Sequence, residues 1–156
     1  MLAKFSSQWP SFTEEEADAI ARVLLSNKVN YWTGKEGREF ECEFSAWCGV
    51  DYAIALSNGT VALDLALAGL CIGSHNGGKA EDEVIVTPRT YIASVSSIVN
   101  AGAIPIFADV EKNSGNISAD TILPALTNQT RAIVAVHLAG WPCDMDPIMA
   151  VAKQNK

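Results

Sequence analysis

With 156 residues, 49% of them apolar and 19% charged, the chain is long enough to bury the core of about one domain and too apolar to be disordered. Its net charge of −7, with Lys and Arg only scattered, excludes broad binding to nucleic acid or to an anionic membrane, although backbone N–H groups can still hold one phosphate. Cys42, Cys48, Cys71 and Cys143 have neither CxxC spacing nor a histidine pattern that would hold a metal; they are expected to be reduced and partly buried in a cytoplasmic protein. No run approaches a membrane span, and MLAKFSSQWPSF lacks the apolar core of a signal peptide.

Thr13 opens the first predicted helix, with acids in its first turn and an apolar stripe of Ala17, Ile20, Val23 and Leu24. An aromatic-rich loop follows over 29–34, whose Tyr31 and Trp32 either pack under the domain or line a binding surface. The spacing of Phe40, Phe44 and Trp47 predicts a second helix over 38–47, closed by Gly49. Residues 1–50 therefore read as an N-terminal helical segment and residues 51–156 as an α/β domain.

Ala53-Ile54-Ala55-Leu56 is an apolar run of the kind that forms a buried strand. Ser57-Asn58-Gly59-Thr60 breaks it with capping and turn residues, and the Ala- and Leu-rich segment beyond predicts a helix. A helix launched from a small polar turn leaves its first N–H groups unpaired, and with the helix dipole they suit an anion, most often a phosphate. A plain cap by Ser57 or Asn58 accounts for the same residues.

Residues 73–81 read as a flexible polar loop with a solvated His75. Further strands are predicted over 82–88, 104–110 and 131–138, with helices from Thr90 to Val99, from Ser118 to near Leu126, and from Asp144 or Asp146 onward. The order βαβαβαβα with continuously apolar strands implies a mainly parallel sheet covered by helices on both faces, with ligands at the carboxyl ends of its strands. That places the turns at 57–60, 88–91, 109–111 and 137–140 on one rim. A phosphate cradle beside the exposed ring of Tyr91 points to a ligand with a phosphate and a flat ring. The glycine fingerprints of dinucleotide and P-loop sites, a GxSxG elbow and a hydrolytic triad are all missing. His137, at a strand end, reads as a hydrogen-bonded structural residue rather than a general base.

Three stretches carry a family resemblance: TGKEGREFECEFSAWCGVDYAIALSNGTVALDLAL at 33–67, DEVIVTPRTYIASVSSIVNAGAIPIFADV at 82–110, and RAIVAVHLAGWPCDM at 131–145. In this order and spacing, from about Phe5 to the last residue, the chain resembles the DegT/DnrJ/EryC1/StrS family of pyridoxal-phosphate sugar aminotransferases. The resemblance implies a type I transferase fold, of which this chain would be the N-terminal part of the large domain. It implies that Asn58, Gly59 and Thr60 bind the cofactor phosphate, that Tyr91 stacks on the ring, and that Thr33 and Gly34 lie near a nucleotide-sugar site.

The resemblance also implies pyridoxal 5'-phosphate as cofactor, held by a Lys and faced by an Asp at its ring nitrogen. An amino-acid donor and a nucleotide-linked keto sugar would be the substrates, in polysaccharide or surface-glycan synthesis. The Asp and the Schiff-base Lys are expected after Lys156. Lys153 and Lys156 read as solvated, and Lys35, Lys79 and Lys112 match no catalytic position. The 73–81 loop is longer than usual, and Glu81 stands where the family commonly has Gly. The expectation is a chain with a cofactor half-site but no catalytic residue and no metal. It would be inactive alone and would associate with itself or a complementary chain through an uncovered sheet edge. The alternative is a non-enzymatic fold remnant or assembly module.

Overall fold

The structure is a computed structural model that describes residues 10–155; the proposed match from Phe5 and the reading of Lys156 lie outside the described residues. The chain divides into two compact units, Met1–Ala55 and Leu56–Lys156.

The first unit holds two helices. Helix α1 (Glu14–Leu25) starts where Thr13 predicts: the Glu16 N–H donates to Thr13 Oγ1, and the Thr13 N–H donates to Glu16 Oε2 at 2.7 Å. This reciprocal cap satisfies two otherwise orphaned donors and, with the Thr13 hydroxyl, holds the Glu16 carboxyl below its ordinary range. Helix α2 (Glu36–Cys48) begins two residues before the predicted start and stops at Gly49, whose φ of 69° is the left-handed conformation that glycine adopts without strain. Phe44 stacks on Phe40 at 5.5 Å and packs against Trp47 at 5.6 Å, one turn apart. In the loop between the helices Asn30 Oδ1 accepts from the N–H groups of Trp32 and Thr33, so that turn is ordered by one side chain.

The second unit is built on a three-stranded parallel sheet, ordered β2-β1-β3, from β1 (Glu83–Val86), β2 (Ile104–Phe107) and β3 (Thr130–Val134). Side chains alternate across β1 and both faces are buried. Val84 and Val86 pack on Leu67 of α3 (Gly59–Gly69) and Ile98 of α4 (Ala93–Asn100). Ile85 packs on the other side against Ile122 of α5 (Ala119–Ile122) and against Ile148 and Val151 of α6 (Met145–Gln154). A parallel sheet with helices on both faces is thus the architecture of this unit.

Several expectations need correction. The run 53–56 is not a strand: it makes no ladder bonds, and Ile54 is 69% exposed. Apolar composition favours extended backbone, but a strand exists only where a neighbour supplies its N–H and C=O partners. Of the three strands only β1 is buried on both faces, because β2 and β3 are edges; Ile104 and Phe107 are exposed. Cys42, Cys48 and Cys71 are exposed rather than partly buried, and only Cys143 is enclosed.

The 73–81 segment is not a loose loop. Buried Asp82 accepts from the N–H groups of Gly73 (3.0 Å) and Lys79 (2.9 Å), and a 3-10 turn (Ser74–Asn76) is pinned to Ala101 and Gly102 beyond α4. His75 is solvent-exposed as read, but its Nδ1 also lies 2.8 Å from the Asn100 carbonyl.

Candidate functional site

Parallel pairing puts the carboxyl ends of β1, β2 and β3 on one edge, where the turns leading to the next helices collect. The direction of α3 and α4 follows from how they end. Past α3, the Ile72 N–H donates to Leu67 O, and Gly73 is bonded to Asp82 immediately before β1. Past α4, Ala101 O and Gly102 O accept from the N–H groups of His75 and Ser74 in the same segment. Both helices therefore finish at the amino edge of the sheet and pack side by side through one core cluster. Their N-termini consequently open together at the carboxyl edge, which brings the 57–60 turn and Tyr91 to one rim.

At the start of α3, Asn58 is the N-cap: the Val61 N–H donates to its Oδ1 at 3.0 Å and the Ala62 N–H donates to its carbonyl at 3.2 Å. The N–H groups of Gly59 and Thr60 have no acceptor among the described residues. No acidic residue stands in this first turn, and a side chain added at Gly59 would meet no atom within 4 Å. Two free donors, an open approach and the positive end of an 11-residue helix form a cradle for an anion. Ser57 only contacts the Asn58 amide, at 3.3 Å. Asn58 thus caps the helix and leaves the Gly59 and Thr60 donors without an acceptor among the described residues.

Tyr91 lies in the turn between β1 and α4 and is 77% exposed. The backbone around it is fixed. The Arg89 N–H donates to Thr87 Oγ1 at 3.1 Å, the Thr90 and Ser94 hydroxyls share a bond at 2.9 Å, and the Ser94 N–H donates to Tyr91 O at 3.0 Å. A ring held out into solvent by an ordered turn has its faces available for stacking.

Neighbouring turns brace the rim. Asn116, 2% exposed, donates from Nδ2 to Trp141 O at 2.8 Å and accepts the Leu138 N–H on Oδ1 at 3.2 Å, tying the loop after β2 to the loop after β3. The Cys143 N–H donates to His137 Nδ1 at 3.0 Å, so this nitrogen holds a loop, as the structural reading of His137 has it. Asn116 escaped the sequence reading because an isolated Asn in a loop carries no pattern. Arg89 escaped it although it sits two residues before Tyr91, in a turn already assigned to the rim.

A cavity of about 730 Å³ lies at the opposite edge among Lys79, Asp82, Gln129 and Arg131. It contains neither free helix-start donors nor an aromatic ring. Lys35 pairs with Glu39 at 2.9 Å, and Lys112 and Lys153 are exposed. Among the described residues no group of three metal-ligating side chains comes together, and no helix is long and apolar enough to cross a membrane. The chemistry of the donor set therefore suits a phosphorylated aromatic ring: N–H groups for phosphate, a phenol face for the ring.

Comparison with known proteins bears on the family and the fold. The family model of the DegT/DnrJ/EryC1/StrS aminotransferase family matches residues 10–156. GDP-perosamine synthase of Caulobacter vibrioides is 44% identical over 157 aligned positions, covering 99% of this chain and 40% of that protein. The crystal structure of an aminotransferase from Psychrobacter cryohalolentis superposes with a TM-score of 0.88 at 60% identity, covering 96% of this chain and 36% of that one. A sugar aminotransferase described as putative, Spr1654 of Streptococcus pneumoniae, solved in PLP and PMP forms, superposes at 0.79 with 32% identity, covering 93% of this chain and 35% of its own. This chain thus spans about 40% of the length of the curated relative. With the family model matched over nearly its whole length, the chain belongs to the DegT/DnrJ/EryC1/StrS aminotransferase family.

Proposed function

We propose that this chain supplies the phosphate and ring contacts of a pyridoxal-phosphate-dependent aminotransferase. The enzyme would move an amino group from an amino-acid donor to the keto group of a nucleotide-linked sugar, in polysaccharide or surface-glycan synthesis. The observation that carries this reading is the start of α3. Asn58 caps the helix, the N–H groups of Gly59 and Thr60 stay free, and no acid opposes an anion there, with Tyr91 exposed on the same rim.

When bound, the cofactor supplies the electron sink for amino transfer. The chain's own residues bind and orient it. Gly59 and Thr60 donate backbone N–H groups to the phosphate, and Thr60 can add its hydroxyl. Asn58 keeps the turn in the shape that aims those donors. Tyr91 covers one ring face and keeps water from it. No proton transfer is assigned to a residue of this chain, so on its own it is expected to hold the cofactor without a covalent bond and without turnover.

Exposed apolar residues support association with a second copy, among them Ile20, Leu24 and Trp47 in the first unit and Ile92 and Phe107 in the second. A cytoplasmic setting fits the nucleotide-sugar substrate class.

The test is titration of the chain with pyridoxal 5'-phosphate, with binding read from the quenching of intrinsic protein fluorescence. Borohydride reduction and intact-mass measurement follow. Saturable quenching that Asn58→Asp removes, with no single Lys labelled stoichiometrically, is the expected result. Binding indifferent to Asn58 and Tyr91, or one Lys labelled to completion, contradicts the proposal.

A further inference from the structure

We propose that Arg89 is a substrate oxyanion receptor on this rim, taking a carboxylate or phosphate group at a place separate from the cofactor phosphate at α3. This rests on the reading of the rim as an aminotransferase half-site and extends it to a residue that contacts the reactants.

Three observations carry the proposal. Arg89 stands two residues before Tyr91 in the turn after β1, and its backbone is anchored to Thr87, itself 1% exposed. Its guanidinium lies against Gly115, buried in the loop after β2 with a φ of +70°; a Cβ there would fall 2.2 Å from Nη1 and 3.0 Å from Cζ. The positive φ favours glycine at this position, and the guanidinium rests beside it. This floor is itself held: the Gly115 N–H donates to Glu111 O at 2.8 Å, and Asn116 bonds Trp141 O and the Leu138 N–H.

Finally, the guanidinium has no partner among the described residues. The ion pairs among the described residues are Lys35–Glu39 and Arg131–Asp82, and no acceptor is bonded to the Arg89 side chain. Arg89 is exposed, so an anion can reach its guanidinium from solvent. Its planar fork of donors matches the paired oxygens of a carboxylate or a phosphate. Both occur in the proposed reaction, on the amino-acid donor and on the diphosphate of the nucleotide sugar.

The experiment follows the Arg89 Nε–H resonance of the chain by NMR, assigned through its loss in Arg89→Lys. The probes are 2-oxoglutarate in one titration and inorganic pyrophosphate in another. The Gly59 and Thr60 amides are monitored in the same spectra, and pyridoxamine 5'-phosphate is added in a third titration.

A saturable shift of Arg89 by either probe is expected; the affinity, read in both chains from the Thr90 and Tyr91 amides, should fall about 10- to 100-fold in Arg89→Ala, the range for losing charge-assisted hydrogen bonds. A response to 2-oxoglutarate assigns Arg89 to the amino donor, and a response to pyrophosphate assigns it to the nucleotide. No shift with either probe overturns the proposal, as does equal affinity in Arg89→Ala. Should Arg89 respond while Gly59 and Thr60 ignore pyridoxamine 5'-phosphate, the cofactor reading fails and the oxyanion receptor stands.

Discussion

Replacing Asp82 by alanine removes the acceptor that organises the connection from α3 to β1. Its Oδ2 receives the N–H groups of Gly73 and Lys79, and its Oδ1 lies 4.0 Å from Arg131 Nε. Gly73 is buried, so its donor is left without a partner; Lys79 is exposed, and water can reach its N–H. An orphaned buried donor costs about 1–3 kcal/mol and a solvated one less, so Asp82→Ala is expected to destabilise the second unit by about 2–4 kcal/mol. Asp82→Asn keeps an oxygen facing both donors and loses only the charge, for about 1 kcal/mol.

The pH dependence has a definite sign. The Lys79 and Gly73 N–H groups hold the Asp82 carboxyl below its ordinary range against the opposing effect of burial. A carboxyl depressed in the folded state stabilises it above the ordinary carboxylate value, and that contribution is lost as pH falls through the folded value. Urea unfolding followed by circular dichroism, at neutral pH and then down through the carboxylate range, measures both effects. A parent chain that loses stability on acidification, beside an Asp82→Asn chain that loses less, is the expected pair of curves. Asp82→Ala within about 0.5 kcal/mol of the parent would refute the reasoning, because that is the range of an inconsequential surface change.

Asn58→Ala should cost about 1 kcal/mol through the lost cap, measured by the same unfolding assay. Asn58→Asp should retain that stability yet abolish binding of pyridoxamine 5'-phosphate in calorimetry, since its carboxylate faces the phosphate. Tyr91→Ala, at an exposed position, should leave stability within about 0.5 kcal/mol while weakening cofactor binding about tenfold, the worth of one aromatic contact. Gly73→Ala should lose more than about 2 kcal/mol of unfolding free energy, because φ is +84° and the added Cβ would fall 2.2 Å from the Ala101 carbonyl oxygen.

What was legible in the sequence is what local chemistry decides. Thr13 with Glu16, Gly49, Asn58 and Ser118 mark helix ends, and each serves as a cap in the structure. The apolar run at 83–86 becomes the doubly buried β1, and the family stretches at 33–67, 82–110 and 131–145 fall within the matched family region. What was not legible depends on partners distant in the chain. Ile54 lies in an apolar run no different in composition from β1, but a strand also needs a neighbour. Asp82 looked like the first residue of a strand, while its bonds to Gly73 and Lys79 are what turn a polar segment into an ordered connection. The Arg89–Gly115 contact joins residues 26 positions apart that share no motif.

The start of α3 and the ring of Tyr91 are proposed to receive a phosphorylated pyridine together. Amide NMR of the chain titrated with pyridoxamine 5'-phosphate tests this most directly, because that compound lacks the aldehyde that would label surface lysines. Saturable shifts of the Gly59 and Thr60 amides together with the Tyr91 ring protons, at one common affinity, are expected. Shifts confined to Lys79, Gln129 and Arg131 at the opposite edge of the sheet, with Gly59 and Thr60 unmoved, would contradict it.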